Sequence, residues 1–344
     1  MRTDSRMPPI PVGKVPHDVL DKLLKRLPRA DPRVLIGPRL GEDAAVIDMG
    51  DRCLIVTTDP VTFATDRIGW YAVHVNANDV AVMGARPRWF FVTLLLPAGK
   101  TTEASVASLM ADIGNTCTAL GISVCGGHTE ITLDLTRPIV VGQMLGEVDS
   151  HRLVRKSNLK VGDEILLTRG VAIEGTAILA RERAETLRGK VPDGLLARAS
   201  RFLDDPGISV VEAAMTAIAA GEVHAMHDPT EGGVLTGLVE LAAASETGLR
   251  VFADRIAIYP ETASLCRALG LDPLGLIASG ALLIGAAPRD ALAVGEALVR
   301  RGIPTVAVAE VRPRSDGLSV EIGGESRPLV IPERDEIARA LEGR

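Results

Sequence analysis

The chain carries two long stretches of alternating strand-like and helix-like sequence, and this division limits the folds open to it. A charged and polar segment, residues 151–162, separates the two stretches. At 344 residues the chain also exceeds the roughly 100–200 residues of a typical domain. We therefore predict an N-terminal tail and first helix over 1–34, a first domain over 35–149 and a second domain over 150–335.

Both stretches mix the two kinds of secondary structure. In the first, apolar runs at 44–49 and 53–57 flank Gly50-Asp51, which is a hairpin signal. The remaining predictions are helices at 68–83, 102–120, 174–185, 195–202, 210–220 and 233–245, and strands at 89–96, 122–125, 139–145, 164–168, 250–252, 281–284 and 305–311. This pattern predicts two domains of the α/β class, of α+β type, each a sheet covered by helices.

Composition and charge argue against several classes of function. Aromatic residues make up 3% of the chain and its formal charge is -6, so we expect no nucleic-acid partner. The longest apolar stretch, 274–287, is shorter than the ~18 residues of a spanning helix, so we expect a buried strand there and no membrane partner. No basic region followed by an apolar one opens the chain, and we expect a cytoplasmic protein.

One carboxylate stands on the apolar side of the predicted helix 68–83. Helical spacing places Asp79 on the stripe formed by Ile68, Ala72, Val75, Val82 and Met83. Burying an unpaired carboxylate is costly, so a cation or several donors should meet it there. The alternative is that Asp79 only hydrogen-bonds a neighbouring loop. Asn76, one turn earlier, is either the polar floor of a pocket or an amide that holds a loop.

Two further aspartates lie at the ends of strand-like runs. Asp43 precedes the run at 44–49, and Asp59 follows the run at 53–57. Magnesium prefers oxygen ligands and usually takes one or two carboxylates together with substrate phosphates. Asp43, Asp59 and Asp79 could supply these ligands if the fold brings them together. The alternative is that Asp43 and Asp59 are turn residues.

The segment SVCGGHTE at 123–130 reads as an apolar strand that ends in paired glycines. Paired glycines at a strand end are expected where the backbone approaches a ligand closely. His128 and Glu130 would then stand at the mouth of a site. A structural role for each is the equally weighted alternative.

The segment HDPTEGG at 227–233 leads into the predicted helix 233–245. Asp228 as N-cap, Pro229 at N1 and Glu231 at N3 would make a capping box that needs no chemistry. A helix N-terminus with two glycines is also a ready anion site, provided that a metal bridges the acidic residues to phosphate. The sequence leaves both readings open.

Together these segments resemble one superfamily, which contains aminoimidazole ribonucleotide (AIR) synthase, thiamine-monophosphate kinase, selenophosphate synthetase and the hydrogenase maturation factor HypE. The matching segments, in order, are GEDAAV at 41–46, TTD at 57–59, IGW at 68–70, VNANDVAVMGARP at 75–87, GGHTE at 126–130 and DPTEGG at 228–233. Each is weak alone, but their order and spacing make the match specific. The likeness is greatest to the AIR-synthase-related, HypE-like group.

The resemblance implies a PurM-like two-domain architecture. An N-terminal sheet domain would pair with its twin in a homodimer, and a C-terminal α/β sandwich domain would close an ATP cleft. In such enzymes ATP phosphorylates an oxygen of a small-molecule substrate, with Mg²⁺ ions held by aspartates. Catalysis then rests on positioning and charge neutralisation.

Carried over residue by residue, the resemblance implies three sets of site residues. The implied metal ligands are Asp43, Asp59, Asp79, Glu130 and Asp228. The implied catalytic residues are Asp43, Asp79, His128 and Asp228. The implied cofactor-binding residues are Asp59, Asn76, Gly126, Gly127, Thr129, Thr230 and Gly232.

Departures from the family pattern reduce the number of the superfamily's reactions that we expect of this chain. The hydrogenase factor carries a reacting cysteine at its extreme C-terminus, where this sequence reads ALEGR, so we expect no dehydration on such a tail. Selenophosphate synthetase has a reactive cysteine or selenocysteine in an N-terminal glycine-rich stretch, but no cysteine precedes Cys53. Thiamine-monophosphate kinase usually has aspartate at the position of His128, which puts one metal ligand in doubt.

Three functions therefore stay open. The first is an ATP- and Mg²⁺-dependent kinase or synthase acting on a small molecule, and a thiamine-monophosphate-kinase-like kinase is one version of it. The second is a nucleotide-binding assembly factor that acts on a maturation partner protein. The third is a carboxylate-based metal-binding module without a nucleotide.

Overall fold

The structure is a computed structural model that describes Ile10 and residues 15–28, 31–39, 41–62 and 66–342. Its first half comprises α1 (His17–Leu24), β1 (Val34–Ile36), β2 (Ala45–Asp48), β3 (Arg52–Val61), α2 (Ile68–Val82), β4 (Arg86–Pro97), α3 (Glu103–Leu120), β5 (Ser123–Thr132) and β6 (Ile139–Asp149). Its second half comprises β7 (Glu164–Thr168), α4 (Ile173–Glu182), α5 (Ala184–Leu187), α6 (Asp193–Ala199), α7 (Val211–Ala220), β8 (Ala225–His227), α8 (Gly233–Ser245), β9 (Gly248–Phe252), α9 (Pro260–Leu269), β10 (Leu283–Ala286), α10 (Pro288–Arg300), β11 (Thr305–Arg312), β12 (Leu318–Ile322), β13 (Glu325–Pro328) and α11 (Glu336–Leu341).

The first six strands form one mixed sheet in the order β1-β2-β3-β6-β4-β5. The predicted hairpin is confirmed, because β2 pairs antiparallel with β3 and Gly50, in the turn, has a φ of 102° that suits glycine. All neighbours in the sheet are antiparallel except β4 and β5. This arrangement leaves β5 as an edge strand.

The helix α2 matches the prediction in position but not in the reason given for it. The sequence suggested a helix with one apolar stripe, whereas nearly every residue of α2 is buried. One side of α2 packs on β3, β6 and β4, and another packs on α7 and β8 of the second half. A helix in such a central position is buried on all sides, so its polar residues are buried together with its apolar ones.

The edge strand β5 corrects another prediction. The expected strand at 122–125 extends to Thr132, so Gly126 and Gly127 lie inside the strand and not at its end. From Ser123 to Ile131 every residue of β5 is exposed.

The second sheet has seven strands in the order β13-β12-β9-β11-β7-β10-β8. Only β12 and β9 are parallel. The sequence did not predict α9 or α10, although each has a proline in its first turn, which is a usual start signal. Of the buried strand expected at 274–287, only Leu283–Ala286 is β10, and the preceding residues form a loop.

The two halves pack closely through α2. Ala81 and Val82 share a buried apolar cluster with residues of α7, β10 and α10. The amide of Asn78 accepts a hydrogen bond from the backbone N–H of Val210 and donates one to the carbonyl of Ile208, both at 2.9 Å. Side chains at this end of α2 therefore meet the second half directly. None of the helices in the described ranges is long and apolar enough to cross a membrane.

Candidate metal and phosphate site

Asp79 lies on α2 with its carboxylate turned inward, and it is 8% exposed. The hydroxyl of Thr57 lies 2.9 Å from Asp79 Oδ2 and 2.9 Å from the backbone carbonyl of Asp43, so it links the two segments. Burial raises the pKa of Asp79 well above its usual value, and the charges of Asp228, Asp59 and Asp43 raise it further. The carboxylate thus stands in an excess of negative charge.

Asp43 approaches this point from the loop before β2. The ammonium group of Lys156 lies 2.8 Å from Asp43 Oδ2 and 3.0 Å from Oδ1. Burial alone would raise the pKa of Asp43, but the positive charges of Lys156 and His227 hold it well below its usual range. Asp43 is therefore an ionised carboxylate at pH 7, paired with a lysine from the second half of the chain.

Asp228 and His227 come from the end of β8. Burial and the neighbouring charge of Asp43 raise the pKa of Asp228 to about 7. Asp43, His227 and Asp228 each offer one ligand atom, and these three atoms lie within 4.8 Å of one another. The cluster contains residues from both halves, so only the packing of the two sheets creates it.

His227 lies between two carboxylates. Its Nε2 lies 2.7 Å from Glu240 Oε2 on α8, and its Nδ1 lies 3.7 Å from Asp43 Oδ2. Burial and the charge of Lys156 would lower the pKa of His227, but these two carboxylates raise it above its ordinary value. We define Asp43, Asp79, Lys156, His227 and Asp228 as the interdomain cluster.

Asp59 and Asn76 stand beside the interdomain cluster in different roles. Asn76 is fully buried, its Oδ1 accepts from the backbone N–H of Asp59 at 2.9 Å, and its Nδ2 donates to the carbonyl of Ala72 at 2.8 Å. These bonds favour the alternative that Asn76 holds a segment in place. Asp59 lies on the side of β3 that faces α2, since it stands two positions after Thr57, whose hydroxyl contacts Asp79 on α2.

His128 and Glu130 do not join the interdomain cluster within one chain. The sheet register places Asp59 level with Gly127, but three strand spacings, about 14 Å, separate them. The side chains of His128 and Glu130 are 65% and 54% exposed, and their nearest polar atoms are 3.4 Å apart. The residues Gly126, Gly127 and Thr129 share this exposed strand.

The structure of the loop at 228–233 removes one of the two readings that the sequence leaves open. The capping box is wrong, because α8 begins at Gly233 and its N-cap is Gly232, with no side-chain cap from Asp228. The backbone N–H of Gly232 instead donates to the carboxylate of Asp335 at 2.6 Å. Thr230 holds the loop at 277–280, since its carbonyl accepts from Ala278 at 3.2 Å. Asp228 is thereby free of a capping role and points into the interdomain cluster.

Three residues that the sequence analysis did not select belong to this arrangement. His227 stands beside a selected aspartate, and adjacency to Asp228 was the available signal. Lys156 lies in the polar segment at 151–162 and is 4% exposed, which no local pattern indicates. Glu240 occurs in an apolar helix, and only the fold places it beside His227.

The fold and the site define a two-domain α/β protein of PurM-like fold with carboxylates gathered between its domains. The chain belongs to the family of AIR synthase related proteins: the N-terminal domain of that family matches residues 41–148 and the C-terminal domain matches 160–320. The expected family and fold class are thus confirmed.

Individual relatives point in the same direction. A putative hydrogenase expression/formation protein of Methanocaldococcus jannaschii is 29% identical over 81% of this chain and 82% of its own length. The carbamoyl dehydratase HypE of Rhizobium leguminosarum is 25% identical over 74% of this chain and 72% of its own length. A crystal structure of the hydrogenase maturation protein HypE in complex with ATP shares the fold, with a TM-score of 0.70, 23% identity, and coverage of 92% of this chain and 91% of that one.

Proposed function

We propose that this protein is an ATP- and Mg²⁺-dependent enzyme that transfers or uses the terminal phosphoryl group of ATP to activate a small-molecule substrate. The observation that carries the proposal is the convergence of Asp43, Asp79 and Asp228 from both domains, in surroundings that raise the pKa of two of them. Buried carboxylates repel one another unless a cation joins them. A relative of the same fold has been crystallised with ATP.

The residues present fit a magnesium ion, because Asp43, Asp59, Asp79 and Asp228 offer the oxygen ligands that it prefers. The bound ion would neutralise phosphate charge. Thr57 orients Asp79, and Asn76 fixes the backbone of Asp59. Lys156 adds a fixed positive charge beside Asp43. The chain's own contribution is therefore positioning and electrostatic stabilisation, which dominate phosphoryl transfer.

The proposed enzyme acts as a homodimer that pairs through the first sheet. Its β5 edge is exposed, with Val124 at 49% and Ile131 at 55%, and Phe91 on the adjacent strand is 36% exposed. Exposed apolar surface of this kind marks an interaction site. A second copy could bring His128 and Glu130 to the interdomain cluster of its partner, which one chain alone does not achieve.

A second candidate is an assembly factor in which ATP use acts on a maturation partner protein. The names of the hydrogenase-related relatives favour it. Steady phosphorylation of a metabolite mixture, or steady ATP hydrolysis by the purified protein alone, favours the enzyme. ATP binding with turnover only after a partner is added favours the assembly factor. For either candidate we propose a cytoplasmic location.

The test of the proposal is Asp79→Asn. Asparagine keeps the shape and the contact with Thr57 but removes the charge, so we expect an intact fold and a loss of MgATP affinity of at least about 100-fold, or about 2.7 kcal/mol. Isothermal titration calorimetry measures the affinity, and circular dichroism checks the fold. Asp51→Asn, at an exposed turn of the first sheet, is the matched control. If Asp79→Asn binds MgATP as the parent does, the assignment is wrong.

A further inference from the structure

His227 has a buried ring nitrogen without a hydrogen-bond partner. The residue is 5% exposed, and its Nδ1 lies 3.7 Å from the nearest carboxylate oxygen of Asp43, which is beyond hydrogen-bonding distance. A buried polar atom without a partner costs free energy. A ligand that accepts the lone pair of this nitrogen would remove that cost.

The other ring nitrogen of His227 is firmly engaged. Its Nε2 lies 2.7 Å from Glu240 Oε2, so the carboxylate can hold a proton on this nitrogen and leave Nδ1 as the electron-pair donor. A carboxylate that accepts from the second nitrogen of a histidine is the usual partner of a metal-ligating histidine. The orientation of His227 is thus the one that a metal ligand has.

We propose that Asp43, His227 and Asp228 form a mixed nitrogen and oxygen site for a divalent first-row transition-metal ion. The three ligand atoms lie within 4.8 Å of one another, as donors around one ion do. The inference deepens the proposed function and shares Asp43 and Asp228 with it. An imidazole donor favours transition-metal ions, whereas Mg²⁺ prefers oxygen ligands alone.

Lys156 contacts one of the three proposed ligands. Its ammonium group contacts both carboxylate oxygens of Asp43 at 2.8 and 3.0 Å. A carboxylate has about four lone-pair positions, so Asp43 can keep the lysine and bind an ion. The competing arrangement is an imidazolium form of His227 that pairs with Asp43 and Glu240 and binds no metal.

The test is a titration of the protein with Co²⁺ in the absence of nucleotide. Co²⁺ is the probe because its visible absorption spectrum reports its coordination. We expect the parent to bind Co²⁺ at least about tenfold more tightly than Mg²⁺, which is measured by competition. His227→Gln should weaken Co²⁺ binding by about 10- to 100-fold and change Mg²⁺ binding less than about threefold. Glu240→Gln should weaken Co²⁺ binding by about tenfold. His151→Gln, at an exposed histidine, is the control and should change neither.

Unchanged Co²⁺ affinity in folded His227→Gln, or a parent that prefers Mg²⁺, overturns the inference and leaves the imidazolium arrangement. Should His227→Gln fail to fold, proton NMR of the Co²⁺-loaded parent decides. A strongly shifted, exchangeable imidazole N–H that moves in Glu240→Gln supports ligation, and its absence contradicts it. MgATP binding without Co²⁺ binding would overturn this inference alone, whereas Co²⁺ binding through His227 without MgATP binding would overturn the proposed function alone.

Discussion

Two histidine–glutamate pairs in this protein show how much burial changes the meaning of the same residue types. In the interdomain cluster, His227 Nε2 lies 2.7 Å from Glu240 Oε2; the His227 side chain is 6% exposed and that of Glu240 is 44% exposed. On the edge strand β5, His128 Nε2 lies 3.4 Å from Glu130, and both side chains are more than half exposed. An exposed ion pair contributes about 0–1 kcal/mol, whereas a pair with one buried member is less screened by water and constrains the buried ring more strongly.

The two regions also differ in how they are built. The interdomain cluster draws on segments of both halves, and two of its carboxylates have a close side-chain partner: Thr57 contacts Asp79 and Lys156 contacts Asp43. The edge strand pairs with another strand on one side only, with β4. The five residues of the interdomain cluster therefore come together within one chain, whereas the edge strand has a surface that remains available to a partner.

Among the substitutions that test this contrast, Lys156→Met should have the largest effect on stability. Methionine retains the apolar stem but removes the charge that neutralises Asp43, whose side chain is 22% exposed, so we expect a loss of about 3 kcal/mol in the free energy of unfolding, at the lower end for a buried pair. Urea denaturation in EDTA measures it, and added Mg²⁺ should restore part of the loss by mass action. The control is Lys160→Met, at a side chain that is 61% exposed, with a loss below about 1 kcal/mol. Equal stabilities of parent and Lys156→Met would show that the pair is not buried as described.

A smaller loss of stability should follow the substitution of a glycine in the edge strand β5. Gly127 has a φ of 154°, and an added Cβ would lie 1.8 Å from the carbonyl oxygen of Val92. We expect Gly127→Ala to cost about 2–3 kcal/mol in the free energy of unfolding, because β5 must shift away from β4. Gly126→Ala is the matched control, since its Cβ would meet only the ring of Phe91 at 3.5 Å. Equal losses in the two variants would mean that β5 is not held in this register.

The smallest effect on stability should come from His128→Gln, within about 0.5 kcal/mol by urea denaturation, because this side chain is exposed. In the proposed homodimer the same variant should weaken MgATP binding. A mixture of His128→Gln and Asp79→Asn chains should then recover binding at one site of each mixed dimer. Lack of recovery, with mixed dimers verified by native mass spectrometry, would contradict the shared site.

Much of the fold could be predicted from the sequence because its signals are local. The hairpin at β2 and β3, the helix α2 and the helix α8 all follow from apolar spacing and turn residues within a few positions. Predictions failed where an element depends on distant partners. The strand β5 continues through two glycines because β4 pairs with it along its whole length, which no local pattern indicates.

The candidate site divides in the same way. An inward-facing Asp79 could be expected, since its neighbours on the helix are apolar and the spacing is periodic. The contacts at the start of α8 could not, because the backbone N–H of Gly232 donates to Asp335, which lies 103 positions further along the chain. Likewise, nothing near Lys156 in the sequence indicates that it is buried against Asp43.

The sequence alone therefore determined the alternation of strands and helices and the family. It also indicated an acidic residue, Asp79, at a position where helical spacing predicts an apolar one. Only the tertiary structure decided that Asp43, Lys156, His227 and Asp228 meet, and that His128 and Glu130 stay apart from them. The physical reason is that periodicity acts over a few residues, whereas the charge around a buried carboxylate depends on every segment that packs against it.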